Sequence, residues 1–367
     1  MRVTLKKNYF VEKEKLFLEV EDIKVFLYKF ETGIDALRIE NSLGYIIVLP
    51  FKGQLIWEAK FNGRILNMHR IDKYEPKPSD FYLGAAFGTY FFHCGALRMG
   101  CPVPGVDDHP LHGELPYADY DEAELQVGTD EKGTYVGIGG LFRYNRGFGS
   151  CYHAYPLTKV YSKSSQMDIS IQIENRSNYP MELMYMAHLN SRPVDNARIV
   201  QCNPWTPEEM PSRDLTRVYV PGVTTSPEFL AQADRIKKDP RLTEVFRPEE
   251  VHLYKPEAGF YLEGPRVDAD GWTRIMQVLP DGTADILRYK PSELDRALRW
   301  ICRTADQQGF ALAFPSTADV EGYTEEKRLG HVKELAPRSS FYTSITVGCL
   351  NREEAEKEEA IIKKIME

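Results

Sequence analysis

The chain has 367 residues, of which 43% are apolar and 12% aromatic, so it can bury a large core and is not an intrinsically disordered protein. Its formal net charge of -8, without any block of lysine and arginine, argues against nucleic acid and anionic membrane as partners, because both require a basic surface. No apolar stretch has the length of a membrane span or of a signal peptide, and the six cysteines show no CxxC spacing. We therefore expect a cytoplasmic protein with reduced thiols.

Alternation of apolar and polar residues with a period of two is the repeated local pattern of the chain. It occurs around Leu37 and Ile39, then over residues 169–173, and again over residues 341–347. Such alternation is typical of strands with one buried face. Turn signals separate these segments at Asn62-Gly63, at Asp130 to Gly133 and at Pro280-Asp281-Gly282. The predicted fold class is all-β, with antiparallel sheets packed face to face.

Helices are expected only at the periphery. Ser226-Pro227-Glu228 resembles a helix start, and the apolar spacing that follows ends at Ile236. This helix lies in a proline-rich stretch, residues 203–264, which we interpret as an insertion or lid on a single β domain spanning residues 1–350. At the end of the chain, Asn351 can cap a C-terminal helix within residues 351–367.

The segment Phe91–Glu122 concentrates chemically reactive side chains among glycines and prolines. These side chains are His93, Cys94, Cys101, Asp107, Asp108, His109, His112 and Glu114. Such a composition suits a functional loop better than a core element. His112 and Glu114 are two residues apart, so both would leave the same face if this piece were extended. An imidazole and a carboxylate would then share one pocket wall.

Several short motifs, in this order along the chain, resemble those of the aldose 1-epimerase (galactose mutarotase) superfamily. The motifs are FFHCGALRMG from Phe91, LHGELPYA from Leu111, MYMAHLNSRP from Met184, YKPSEL from Tyr289 with Trp300 after it, and ALAFPST from Ala311. The similarity is greatest to the branch known only as aldose 1-epimerase family proteins. It implies a β-supersandwich of two large antiparallel sheets, with a sugar bound in a cleft on the concave face.

The resemblance also implies roles for two histidines. His112 stands where the family has a histidine that binds the sugar near its anomeric end, and His188, with Asn190 two residues later, matches the general acid that acts on the ring oxygen. Ring opening needs one group that takes the proton of the anomeric hydroxyl and another that protonates the ring oxygen, and imidazole suits such transfers. Each histidine also has a plain structural interpretation, as a hydrogen-bonded core or turn residue.

The chain departs from the family at the general base. The family has a glutamate just before a proline in a late strand, and Phe314 occupies that place in ALAFPST. Phenylalanine cannot accept a proton. Glu114, beside His112, is our first candidate for a relocated base, because burial and a neighbouring imidazole can tune the pKa of a carboxylate. Asp319 and Glu321 are the next candidates.

Other residues are candidates for sugar binding. The resemblance suggests Arg64 as an arginine that contacts a hydroxyl, while Arg98 and His93 lie in the reactive segment. Trp205 could offer an aromatic face to sugar C–H groups, although packing within the insertion is the better interpretation. The remaining candidates are Asn190 and Glu321, with Arg192 and Lys290 added for an anionic sugar.

The sequence leaves three functions open. The first is an enzyme that acts on the anomeric centre of a free sugar or sugar acid and interconverts its α and β anomers without a cofactor. The second is a metal-dependent sugar isomerase or lyase that uses the side chains of residues 93–114, whose spacing fits no standard ligand motif. The third is a non-catalytic sugar-binding relative that lost the base. In each case the partner is a small carbohydrate, and a homodimer is compatible with the sequence.

Overall fold

The computed structural model describes residues 1–69, 77, 88–213, 227–250, 257–304 and 306–367. Within them the strands are β1 (Arg2–Leu5), β2 (Lys15–Val20), β3 (Ile23–Lys29), β4 (Asp35–Asn41), β5 (Gly44–Val48), β6 (Ile56–Phe61), β7 (Arg64–Ile65), β8 (Phe91–Ala96), β9 (Glu122–Asp130), β10 (Gly133–Asn145), β11 (Cys151–Tyr161), β12 (Gln166–Asn175), β13 (Met181–Leu189), β14 (Arg198–Gln201), β15 (Ala258–Tyr261), β16 (Thr273–Val278), β17 (Ala284–Tyr289), β18 (Arg296–Arg303), β19 (Gln308–Ser316), β20 (Lys333–Leu335) and β21 (Ser340–Leu350). The α-helices are α1 (Pro227–Lys238), α2 (Tyr323–Leu329) and α3 (Arg352–Met366).

The strands of the described residues form two large antiparallel sheets. The nine-stranded sheet has the order β1-β9-β10-β11-β12-β21-β17-β16-β14. The twelve-stranded sheet has the order β15-β18-β19-β13-β8-β6-β5-β4-β3-β2, with β20 and β7 paired to β13 and β6 beside that path. The predicted all-β fold class, a β-supersandwich of two large antiparallel sheets, is confirmed.

The alternation along β13 shows how the sandwich is built. Its odd-numbered residues, among them Leu183 and Tyr185, belong to the cluster between the two sheets, which we call the inter-sheet core. Its even-numbered residues, Met184 and Met186, belong to a second apolar cluster on the opposite face of the twelve-stranded sheet, which we call the outer-face cluster. Because both faces of this strand are buried, the segment is almost wholly apolar in sequence.

Tight turns occur where the sequence predicts them. Asn62 and Gly63 both have positive φ, at 51° and 76°, and connect β6 to β7. Gly133 closes the β9–β10 turn at a φ of 112°, and Gly282 closes the β16–β17 turn at 84°. In each case a residue that tolerates left-handed backbone stands where the hairpin requires one.

The proline-rich stretch contributes α1 and a short 3-10 helix, Pro240–Thr243. In α1, Ile236 is buried in the inter-sheet core, whereas Leu230 is exposed. The predicted cap, Ser226, lies outside the described residues. Among the helices of the described residues, none combines the length and apolar content that crossing a bilayer requires.

The C-terminal helix α3 packs on the outer face of the nine-stranded sheet. Asn351 caps it, because its side chain accepts a hydrogen bond from the backbone N–H of Glu354 and the Glu354 side chain returns one. Buried Glu358 accepts hydrogen bonds from Arg274 of β16 and Arg288 of β17, at 2.9 and 2.7 Å. Burial alone would raise the pKa of Glu358, but the two guanidiniums outweigh it and hold that pKa below its usual range.

We expect Glu358→Gln to lower the free energy of unfolding by about 3 kcal/mol, because it leaves two guanidiniums without their shared carboxylate. The depressed pKa means that the contribution of Glu358 is complete above its unfolded-state pKa and is lost as the pH falls below it. Urea unfolding at pH 7 measures the loss. The control is Glu356→Gln on the exposed side of the same helix. Equal midpoints for the two variants would contradict the anchoring role of Glu358.

Candidate active site

His188 lies on the outer face of β13, in line with Met184 and Met186. Its ring stacks on Phe92 of β8, with centroids 4.2 Å apart, and packs against Phe314 of β19 at 3.9 Å. The residue is only 3% exposed. Burial, with a smaller contribution from neighbouring His112, holds the pKa of His188 well below its usual range. His188 is therefore a neutral imidazole clamped between two phenylalanines.

His112 meets His188 edge to face, with ring centroids 5.1 Å apart. Its backbone has a φ of 61°, a left-handed conformation, and its amide donates to the carbonyl of Gly100. The following residue must be glycine, since a Cβ on Gly113 would lie 2.0 Å from the carbonyl oxygen of Arg98. Burial, then the charge of Arg213, lowers the pKa of His112 to about 3.

Unpartnered polar atoms gather around this histidine pair. Nδ1 of His112, Nδ1 of His188 and Oδ1 of Asn190 are buried without a hydrogen-bond partner. Asn190 is held by its amide nitrogen, which donates to the carbonyl of Thr89 at 3.0 Å. Asn190 lies near enough to His188 to favour its protonated form, although no hydrogen bond of normal geometry joins the two side chains. Buried polar groups are normally paired, so a polar ligand or water can complete the network at these atoms.

The neutral buried histidines predict a specific pH dependence of stability. Burial lowers the pKa of His93, like that of His112, to about 3. In the unfolded chain these groups take up protons near pH 6.5, so the unfolded state binds more protons and stability falls as the pH drops from 6.5. We expect a loss of about 2 kcal/mol per histidine at pH 5. Urea unfolding at pH 7 and pH 5 measures it, and equal stabilities would contradict the neutral state.

Glu114 and His112 do not leave the same face of an extended strand, although the sequence predicted that they would. The chain turns at His112 and forms a 3-10 helix over Leu115–Tyr117, so strand alternation does not apply. Oε1 of Glu114 accepts hydrogen bonds from the amides of Ala96 and Leu97, both at 3.0 Å, and from the Tyr152 hydroxyl at 2.7 Å. Tyr152 belongs to the nine-stranded sheet, so this carboxylate ties the reactive segment to the other sheet.

A cavity of about 560 Å³ is lined by Arg213, the residue whose charge contributes to the lowered pKa of His112. Its described lining comprises Cys101, Pro102, Val103, Pro104, Val106, Arg213, Glu321, Thr324 and Glu325. Cys101 follows Gly100, whose carbonyl holds the His112 amide, and its own amide donates to the carbonyl of Val320. The part of the cavity wall formed by residues 101–106 therefore belongs to the same continuous segment as His112.

Arg213 is the central polar residue of the cavity, and sequence reasoning missed it. Its Nε donates to Oε1 of Glu321 at 2.7 Å, and its Nη1 lies 3.5 Å from Oε1 of Glu257. The Tyr261 hydroxyl donates to the same Glu321 oxygen. Trp300 Nε1 donates to Oε2 of Glu257 at 2.6 Å. One guanidinium thus bridges two carboxylates.

A row of rings joins this charged group to the histidines. Trp300 stacks on Phe314 with centroids 6.1 Å apart, and Phe314 packs on His188. Phe314 occupies the position where the resemblance implies a glutamate, so an aromatic ring replaces the expected proton acceptor. Burial raises the pKa of Glu257, although Trp300 and Arg213 act in the opposite direction.

Two predicted sugar-binding residues face the inter-sheet core instead. His93 lies opposite Ala187 in the β8–β13 register, and its Nδ1 is 2.8 Å from the Tyr185 hydroxyl. Trp205 packs against the inter-sheet core, with the guanidinium of buried Arg299 5.5 Å from its ring. Neither side chain is brought to the His112–His188 pair.

The two predicted arginines are occupied by carboxylates elsewhere. Arg64 forms an ion pair with Asp285 of the nine-stranded sheet at 2.5 Å. Arg98 pairs with Glu182 at 2.9 Å, and its guanidinium lies 3.5 Å from the Tyr323 ring centroid. Of the candidates drawn from the sequence, His112, His188 and Asn190 come together, and Glu321 lines the adjacent cavity.

The described residues contain one group with metal-ligand types in close proximity, Asp319, Glu326 and His331. Its donors already bind one another and the backbone. Glu326 accepts hydrogen bonds from the amides of Asp319 and Glu321, at 2.9 and 3.2 Å, and its Oε2 lies 2.7 Å from His331 Nδ1. Burial, with the charge of Glu326, raises the pKa of Asp319. The side chains of residues 93–114, all described, form no such group.

Comparisons with known proteins support the fold. No protein-family model and no curated protein matches the sequence. Among solved structures, a protein from Klebsiella pneumoniae provisionally identified as an aldose 1-epimerase is 15% identical, with a TM-score of 0.75 over 100% of this chain and 92% of that one. A galactose mutarotase-like protein from Clostridium acetobutylicum is 12% identical, with a TM-score of 0.60 over 90% and 99%.

A galactose 1-epimerase from Lactobacillus acidophilus is 8% identical, with a TM-score of 0.52 over 92% of this chain and 98% of that one. At such low identities the similarity concerns the architecture and not the chemistry. Together with the two antiparallel sheets and their order, these likenesses establish that the chain has the galactose mutarotase-like β-sandwich fold.

Proposed function

We propose that the protein binds a free sugar on the outer face of the twelve-stranded sheet and interconverts its α and β anomers. The observation that carries this proposal is the contact between His112 and His188, two neutral imidazoles with unpartnered nitrogens. The cavity lined by Arg213 and Glu321 belongs to the same region, because the charge of Arg213 acts on His112. The fold of the structural neighbours agrees with a carbohydrate ligand. Fold alone does not assign an activity, so the proposal depends on the site.

The reaction needs two coordinated proton transfers. A base takes the proton of the anomeric hydroxyl while an acid gives one to the ring oxygen, so the bond from the anomeric carbon to the ring oxygen breaks and an open-chain carbonyl forms. Rotation and reclosure give the other anomer, with no net gain or loss of protons. His188, neutral in the sugar-free site, would take up a proton when the sugar binds and give it to the ring oxygen, and it would recover that proton on reclosure. His112 would act on the anomeric side. A ligand that displaces water from this buried site strengthens such hydrogen bonds.

Glu321 is the carboxylate that best fits the base. Glu321 lines the cavity. Among the described residues, Arg213 and Tyr261 donate hydrogen bonds to its side chain, and both donate to Oε1. Glu114, our first candidate from the sequence, uses Oε1 to accept three hydrogen bonds that secure backbone and the opposite sheet. Asp319 contacts His331 at 3.6 Å, in the network of Glu326, and does not line the cavity as described.

The test is NMR saturation exchange between the anomers of a panel of aldoses, amino sugars and uronates. We expect the purified protein to accelerate exchange for at least one sugar, well above the rate in the same buffer. Mixing a single anomer with the enzyme and following optical rotation gives an independent rate. If no sugar in the panel exchanges faster with the protein than without it, the proposed activity is wrong.

A non-catalytic sugar-binding protein is the second candidate function. The observation that favours it is Phe314, which packs on His188 at 3.9 Å in the place where the family resemblance implies the base. A protein that kept the pocket but lost proton transfer would bind sugars without changing their anomeric exchange. Saturation-transfer difference NMR detects such binding, so binding without exchange would select this function.

A metal-dependent reaction leads to a different expected result. The Asp319, Glu326 and His331 donors are engaged in mutual hydrogen bonds, and binding a transition metal would have to break them. We expect anomer exchange to be unchanged by chelator treatment. Stoichiometric zinc, manganese or iron in the purified protein, with exchange lost after chelation and restored by that metal, would favour the metal-dependent isomerase or lyase instead.

A further inference from the structure

We infer that Glu257 and Glu321 make this cavity select against anionic sugars, so that its ligand is an uncharged or amine-bearing aldose. The inference rests on the proposed function only for the location of the sugar. It narrows the substrate class, because the sequence left both free sugars and sugar acids open.

The charges around the cavity are unbalanced. Arg213 is the only basic residue of the described lining, whose acidic residues are Glu321 and Glu325. Glu325 accepts hydrogen bonds from Arg328. Arg213, in contrast, is shared between Glu321 and Glu257, which lies outside that lining. One positive charge therefore meets two negative ones. The guanidinium makes its shorter contact, at 2.7 Å, with Glu321, and it lies 3.5 Å from Glu257. Arg213 is therefore not free to receive a third carboxylate.

Burial strengthens the effect of this charge imbalance on a bound ligand. The side chains of Arg213, Glu257 and Glu321 are 8%, 19% and 16% exposed, so solvent screens them weakly. Trp300 and Tyr261 donate hydrogen bonds to the two carboxylates and stabilise their ionised forms. A carboxylate or sulfonate on the ligand would enter a site whose fixed charge has the same sign. An ammonium group or the hydroxyl groups of a sugar could instead donate hydrogen bonds to these carboxylates.

The basic residues that the sequence offered for a sugar acid lie elsewhere. Arg192 donates from Nε to the backbone carbonyl of Asn67 at 3.0 Å. Lys290 lies 5.0 Å from the ring centroid of Trp272. Neither residue belongs to the described lining of the cavity. The structure therefore supplies no unpaired cation at the described wall to compensate an anionic ligand.

The experiment measures dissociation constants for three matched ligands by NMR titration at pH 7. These are an aldohexose, its 6-carboxylate and its 2-amino derivative. We expect the uronate to bind at least about tenfold more weakly than the neutral sugar, and the amino sugar to bind no more weakly than it. In Glu257→Gln the penalty on the uronate should shrink by a factor of about ten. Glu356→Gln, which removes the same charge from exposed helix α3, should leave the ratio unchanged.

Each outcome separates the selectivity from the catalytic proposal, because binding is measured without turnover. If the uronate binds as tightly as the neutral sugar, or if none of the three sugars binds, the inference is overturned. An unchanged selectivity ratio in correctly folded Glu257→Gln also overturns it. If the expected order of affinities holds while no sugar anomerises, the selectivity stands and the proposed activity fails.

Discussion

His188→Ala is expected to abolish anomer exchange, with a loss of at least about two to four powers of ten in rate. His188 is the imidazole assigned to the ring oxygen, and no second imidazole among the described residues lies on Phe92 and Phe314 to replace it. His112 meets it only by its edge. The measurement is saturation exchange on the best sugar of the panel, with circular dichroism to verify the fold.

The control for this variant is His153→Ala, which removes a histidine from β11 of the other sheet, where it contacts Tyr155. It should retain full exchange. Truncation of His188 leaves a cavity between two phenylalanines, and such cavities cost about 2–4 kcal/mol. His188→Gln fills more of that space and keeps a hydrogen-bond donor, so it separates loss of folding from loss of acid catalysis. Exchange near the wild-type rate in either folded variant would remove His188 from the mechanism.

The fold could be predicted because its determinants are local and repeated. The alternation around Ile171, for example, needs only neighbouring residues to indicate a strand, and Asn62-Gly63 needs only two residues to indicate a turn. Two sheets then follow, because half-buried strands must cover their apolar faces. Local patterns do not predict the pairing of β8 with β13, since 84 residues lie between the end of β8 at Ala96 and the start of β13 at Met181.

The histidine pair of the candidate site could be predicted only because two motifs indicated its members. LHG and HLN located His112 and His188, and the structure brings those rings to 5.1 Å. His93, a second candidate from the reactive segment, lies elsewhere. Directly paired residues share a face of the sheet, and the register sets His188 opposite Phe92 and Ala187 opposite His93. His93 must therefore face the inter-sheet core. The sequence alone could not show this, because it does not reveal how β8 pairs with β13.

Arg213 and Glu257 were missed for a physical reason. Each lies in the proline-rich stretch, without a local pattern, and each acquires its role from partners far along the chain. Arg213 reaches Glu321, 108 residues away, and Glu257 accepts from Trp300, 43 residues away. The sequence predicted the placement of Glu114 incorrectly, because a two-residue spacing puts two side chains on one face only in an extended segment, and the backbone of His112 is left-handed.

Glu321→Gln is expected to lower the turnover number by about two to four powers of ten, the usual contribution of a positioned base. The amide keeps the size of the side chain and its acceptor oxygen for Arg213 and Tyr261, but it cannot accept the proton of the anomeric hydroxyl. Substrate affinity should therefore change less than turnover. Exchange rates measured across a range of sugar concentrations separate the two quantities.

Glu114→Gln is the variant to compare with Glu321→Gln, because we assign Glu321 the role of base and Glu114 a structural role. An amide at position 114 weakens the bonds to the Ala96 and Leu97 amides and to the Tyr152 hydroxyl, so we expect a loss of about 1–3 kcal/mol in stability with much of the turnover retained. If Glu114→Gln, still folded, loses turnover while Glu321→Gln keeps it, the base is Glu114. If Asp319→Asn alone loses it, the proton leaves through the Glu326 network. If none of the three changes a measurable rate, none of these carboxylates is the base. If the wild-type protein binds a sugar and does not accelerate its exchange, Phe314 marks a site where proton transfer has been lost and sugar binding kept.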